Sequence, residues 1–111
     1  MDLLAVFTTV ATAAQAEALA SAAVQGRMAA CVQMEPIRST YRWQGAVESS
    51  DEVRLLFKTT RERHNALVQW IAANHPYELP AIYALPVAGA TEPYASWVRD
   101  AVDPARGAGA D

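Results

Sequence analysis

The sequence predicts one α+β domain in which a strand, a helix, a long hairpin, a second helix and another strand are followed by a C-terminal helix. Three observations carry this. Short apolar runs at Leu3 to Thr9 and Ala81 to Val87 read as buried strands. Two stretches between them repeat apolar residues at helical spacing. The segment separating those helices alternates in polarity and turns back on itself near Gln44-Gly45.

The first strand ends in Thr8 and Thr9. Thr12-Ala13-Ala14-Gln15 is a capping-box pattern, in which the threonine hydroxyl meets the amide three residues on. Ala16, Leu19, Ala20, Ala23 and Val24 follow at helical spacing, so a helix spans Ala13 to Gln25. Gly26 is its expected stop, as the residue that enters the left-handed region without strain. From Ala29 to Trp43, Ile37, Ser39, Tyr41 and Trp43 face one side and Arg38, Thr40 and Arg42 the other. Pro36 implies a bulge or an edge position, because it cannot donate to a ladder. Val47 to Thr59 returns with Val53, Leu55 and Phe57 on one face, and the acidic stretch from Glu48 to Glu52 is expected to be exposed. The hairpin arms are about 13–15 residues long, where a strand usually has about 5–6. An overhang of that length needs a second subunit, or it is an aggregation-prone edge.

Thr59-Thr60-Arg61-Glu62 reads as a second capping box, opening a helix with Leu67, Trp70 and Ile71 on its apolar face. That helix is expected to end near Asn74, before Pro76. A proline-punctuated loop, His75 to Pro80, leads to the fourth strand. Thr91-Glu92-Pro93 opens the last helix, with Tyr94, Trp97, Val98 and Ala101 on one face. Residues 1–102 form the expected domain, and 103–111 a flexible tail. Right-handed crossovers place both main helices on one side of an antiparallel sheet, the ferredoxin-like scheme.

Composition narrows function by exclusion. Of 111 residues, 52% are apolar and 19% charged, as in a globular chain, and the net charge is -3 with both signs interspersed. A nucleic-acid binder would need a basic patch, and an RNA-recognition module aromatics in a basic third strand; that strand reads Arg54-Leu55-Leu56-Phe57-Lys58-Thr59-Thr60. An acylphosphatase-like enzyme would need an anion-binding loop after the first strand, where Thr8 to Thr12 offers neither Arg nor Gly. Cys31 is the only cysteine, too few for an iron–sulfur cluster or an internal disulfide, and it fits a reducing, cytoplasmic compartment. No apolar run reaches the roughly 20 residues of a membrane span. No nucleophile–base pair is suggested by spacing, so an enzyme is not expected.

Candidate ligating groups are few. Cys31 and His75 are the side chains that suit a soft or borderline metal ion, although a small buried thiol and a structural histidine at a helix end are the plainer readings. Five strings go further together than any does alone. Ala29-Ala30-Cys31-Val32, Ser39-Thr40-Tyr41-Arg42-Trp43-Gln44-Gly45, Lys58-Thr59, His75-Pro76-Tyr77-Glu78-Leu79-Pro80 and Tyr94-Ala95-Ser96-Trp97 stand in the order and spacing of the CutA divalent-cation-tolerance family. The chain resembles that family over about residues 3–102. The resemblance implies a ferredoxin-like protomer in a homotrimer that exchanges its long hairpins, an architecture similar to trimeric PII signalling proteins. It implies tolerance to divalent metals, chiefly copper, and in animal relatives a link to acetylcholinesterase anchoring. The copper-site positions of a bacterial member fall on Thr8, Asn74 and His75, and of these only His75 is a copper ligand by type. The resemblance also implies a cleft, for a small anion or metabolite, at Trp43, Lys58, Tyr77, Glu78, Tyr94 and Trp97.

Overall fold

A computed structural model describes residues 2–107. Its elements run β1 (Leu3–Val10), α1 (Ala13–Gln25), β2 (Cys31–Trp43), β3 (Ala46–Thr60), α2 (His64–Asn74), β4 (Ile82–Pro86), α3 (Glu92–Ala101) and α4 (Pro104–Gly107). The strands form one antiparallel sheet in the order β2-β3-β1-β4. This is the ferredoxin-like α+β architecture expected from the sequence. The α4 turn falls inside the stretch expected to be a tail, and residues 108–111 lie outside those described.

The strands alternate between two unlike faces. Val6, Thr8 and Val10 of β1 and Leu55, Phe57 and Thr59 of β3 point towards α1 and α2 and are completely buried. There they meet Ala16, Leu19, Ala20 and Ala23 of α1 and Leu67 and Ile71 of α2. Small alanines on α1 let it lie close to the sheet. Each large aliphatic or aromatic side chain buried there contributes about 1.5–3 kcal/mol by leaving water. On the other face α3 covers only one end, where Leu3 and Ala30 pack with Ala95, Val98 and Val102. Farther along that face Phe7 stacks on Tyr83, ring centroids 5.3 Å apart, and Tyr83 and Leu85 remain 51% and 52% exposed.

Local chemistry fixes the element ends. The Thr12 hydroxyl accepts from Gln15 N–H at 3.2 Å, and the Gln15 carboxamide accepts from Thr12 N–H at 3.3 Å, so the first capping box forms as expected. The helix stop differs from expectation. Gly26 has φ −81°, and the left-handed position falls to Arg27 at φ 57°. Glycine is favoured at position 26 by space instead, because a Cβ there would lie 3.2 Å from the Ala22 carbonyl oxygen, a tight contact. The second capping box does not form. Strand β3 runs on through Thr60, the Thr59 hydroxyl donates to the Met28 carbonyl at 2.7 Å, and α2 begins at His64 without a side-chain cap. Pairing strength overrode the local signal: Leu3 and Leu4 hold Thr60 and Thr59 in the ladder.

The hairpin is continuous from Cys31↔Lys58 to Trp43↔Ala46, and Gln44 and Gly45 both have positive φ, as a two-residue turn requires. No bulge occurs at Pro36, which pairs with Val53. It is tolerated because β2 is an edge strand. Strand β1 ends at Val10↔Val53, so, among the described residues, residues 46–52 of β3 have no strand partner on that side.

Candidate functional site

The expected site residues separate into two groups and two outliers. The first group lies at the α3-covered end of the sheet. Register places Cys31, Lys58, Ala5 and Leu85 in one row across all four strands. Lys58 extends from this row under α3, and its Nζ lies 5.6 Å from the centroid of the Tyr94 ring. Tyr94 in turn stacks on Trp97, centroids 5.8 Å apart. Beneath them is a groove of about 410 Å³ with walls from Leu3, Ala5, Leu56, Val87 and Val98. Among the described residues no carboxylate pairs with Lys58; its counter-group is the negative face of Tyr94.

The face of α3 was misjudged. Its buried stripe is Ala95, Val98 and Val102, whereas Tyr94 and Trp97 flank it at 37% and 50% exposure. Their size keeps them off the close-packed line and leaves them at the groove rim.

The second group gathers where the loop after α2 meets β1. His75 Nε2 lies 3.0 Å from Thr8 Oγ1, and His75 Nδ1 accepts the backbone N–H of Tyr77 at 3.1 Å. An acceptor Nδ1 fixes the neutral tautomer with its proton on Nε2, where it donates to Thr8. Burial lowers the imidazole pKa, with the Thr9 backbone and the Glu52 charge opposing it more weakly. Tyr77 donates its hydroxyl to Glu52 Oε2 at 2.6 Å, and burial followed by that carboxylate raises the phenol pKa. Glu52 therefore leaves the exposed acidic stretch in which the sequence had placed it. The signal was absent because Glu52 and Tyr77 meet only through the tertiary fold.

Neither group forms a copper centre. Both His75 nitrogens are engaged, and Asn74 turns back to donate to the Trp70 carbonyl at 2.9 Å. Thr8 is buried against the helices, while Cys31 shares the opposite face with Lys58. Among the described residues no cluster of three or more His, Cys, Asp or Glu is placed to hold a metal ion. The residues present thus do not fit a resident chelated cation within one chain.

Cys31, in the first group's row, is half-buried and pairs with Lys58 across the ladder; the outliers are Glu78, exposed and without a side-chain bond among the described residues, and Trp43. Trp43 pairs with Ala46 at the hairpin tip, and the strand between it and Cys31 spans about 40 Å at roughly 3.3 Å per residue. Within one chain it cannot join Lys58.

The family model described as CutA1 divalent ion tolerance protein matches residues 4–101. The divalent-cation tolerance protein CutA of Thermus thermophilus is 42% identical over 96 residues, 86% of this chain and 93% of that protein. The CutA structure from Synechococcus elongatus superposes with a TM-score of 0.90 at 43% identity, covering 92% of this chain and 91% of that one. A second structure of that protein, complexed with a Bis-Tris molecule, gives 0.85 at 42% identity, covering 90% and 93%. The chain spans about half the length of the Arabidopsis thaliana and human CutA proteins, 53% and 56% respectively. No helix among the described residues is long and apolar enough to cross a membrane. With the fold and nearly the whole length matched, this chain belongs to the CutA1 divalent-ion tolerance family.

Proposed function

We propose that this chain serves divalent-cation tolerance as a non-catalytic cytoplasmic homotrimer, and that its part in the response to copper or another divalent cation is indirect rather than that of a chelator. The observation supporting this is the double engagement of His75, whose nitrogens face Thr8 and Tyr77 at 3.0 and 3.1 Å. A metal ion would have to break one of those bonds, and Cys31 is too far round the sheet to help. Copper titration by calorimetry on the reduced protein tests this, with Cys31→Ser and His75→Ala beside the wild type. Weak binding, lowered only by Cys31→Ser, is expected. Tight stoichiometric binding lost in His75→Ala overturns the proposal. The assembly is supported by the hairpin overhang and by the exposed Tyr83 and Leu85.

A second reading is supported by Lys58. An ammonium lying on an aromatic ring, without a carboxylate partner among the described residues, over an open-sided apolar groove suits the binding of a small organic anion. On this reading the trimer is a metabolite sensor, similar in architecture to PII proteins, and Lys58, Tyr94 and Trp97 are its contact residues. Neighbouring subunits would bring up Trp43, Tyr77 and Glu78.

A further inference from the structure

We infer that the Lys58 groove takes a small carboxylate with an apolar body, of the size and shape of hexanoate. This rests on the anion-binding reading and names its ligand class. The groove presents one cation and almost no other polarity. Its walls are Leu3, Ala5, Leu56, Val87 and Val98. Thr59 also borders it, but its hydroxyl is turned away and donates to Met28. Thr91 is the remaining polar side chain of small size, and its hydroxyl caps no amide of α3.

A polar dianion such as malonate or phosphate would leave oxygens facing aliphatic carbon, where each unmatched polar group is penalised. A neutral apolar molecule would leave Lys58 without its ionic partner and gain only the walls. A carboxylate with an aliphatic tail satisfies both features, its head on Lys58 Nζ and Thr91 Oγ1, its tail against the valines and leucines. Gly89 lies at the mouth, and a Cβ added there meets no atom within 4 Å. A larger side chain at this position therefore starts from open space at the groove's edge and is expected to compete with the ligand at little cost to the fold.

The test is calorimetric titration of the whole protein with hexanoate, malonate, inorganic phosphate and hexanol, with mass measured by light scattering. Hexanoate is expected to bind about tenfold or more tightly than the other three. Lys58→Met should weaken it by a similar factor. Gly89→Leu should remove binding while the melting temperature stays near that of the wild type, which keeps the result interpretable if Lys58→Met folds poorly. Malonate or phosphate binding as well as hexanoate, and lost in Lys58→Met, overturns the apolar-body inference but leaves the anion reading standing. Hexanol binding as well as hexanoate, unchanged in Lys58→Met, overturns both, as does the absence of binding by all four.

Discussion

His75 Nδ1 accepts the backbone N–H of Tyr77, only two residues on, at 3.1 Å. This contact closes the loop after α2 and requires the ring to be neutral, since a protonated Nδ1 would face a donor with a donor. Burial therefore holds the folded-state pKa below the unfolded value of about 6.5. The unfolded chain takes up the proton first. Stability is complete above about pH 6.5 and declines as pH falls from there towards the lowered folded value, below which the loss is full. Urea unfolding between pH 7 and 5 should show the midpoint falling. His75→Gln retains a donor for Thr8 and cannot titrate, so it should flatten that slope; an unchanged slope would remove His75 as its source.

Tyr77 adds a second tie across the same junction. Its hydroxyl donates to Glu52 at 2.6 Å, a short bond to an ionised acceptor. Tyr77→Phe keeps the ring against His75, 5.1 Å between centroids, and removes only this bond. A loss of about 1 kcal/mol in unfolding free energy is expected, since the site is partly solvated. A double-mutant cycle with Glu52→Gln should return a coupling of similar size. Additive effects would mean that the bond contributes nothing measurable.

The capping box at α1 makes a separate prediction. Thr12 accepts from Gln15 N–H and Gln15 reaches back to the amides of Ala11 and Thr12. Thr12→Ala should lower stability by about 1 kcal/mol, and Thr12→Ser by much less. Equal losses for both substitutions in chemical denaturation would place the effect in the threonine methyl group rather than in its hydroxyl.

What was legible in the sequence divides along the range of the interaction. The order of elements, the Thr12 cap and the Gln44-Gly45 turn depend on neighbours a few residues apart, and those were readable. The start of α2 was not, because pairing of Thr59 and Thr60 with Leu4 and Leu3 wins over a capping pattern that is locally sound. Gly26 was identified as the stop for the wrong reason, since its tight contact with Ala22 is invisible without coordinates. At the candidate site, family strings located Lys58, Tyr94, His75 and Tyr77, but not that they form two separate groups. Glu52 carried no signal at all, being 25 residues from Tyr77.

The exposed half of the sheet supplies the strongest prediction about assembly. Tyr83 and Leu85 lie on the edge strand β4 with about half their surface in water, on the sheet face that carries Phe7 and Ala5. In a lone protomer Leu85→Lys would be nearly neutral, because surface substitutions of this kind change stability by about 0.5 kcal/mol or less. In a trimer built over this face the same change places an ammonium in a dry interface, where an unpaired charge is strongly unfavourable. The wild type should run at trimer mass and melt at a temperature that rises with concentration, because folding and assembly are linked. Leu85→Lys should run at lower mass and melt earlier, at a midpoint nearly independent of concentration. Trimer mass retained in Leu85→Lys would move the interface elsewhere, and a concentration-independent midpoint in a reversibly melting wild type would count against assembly itself.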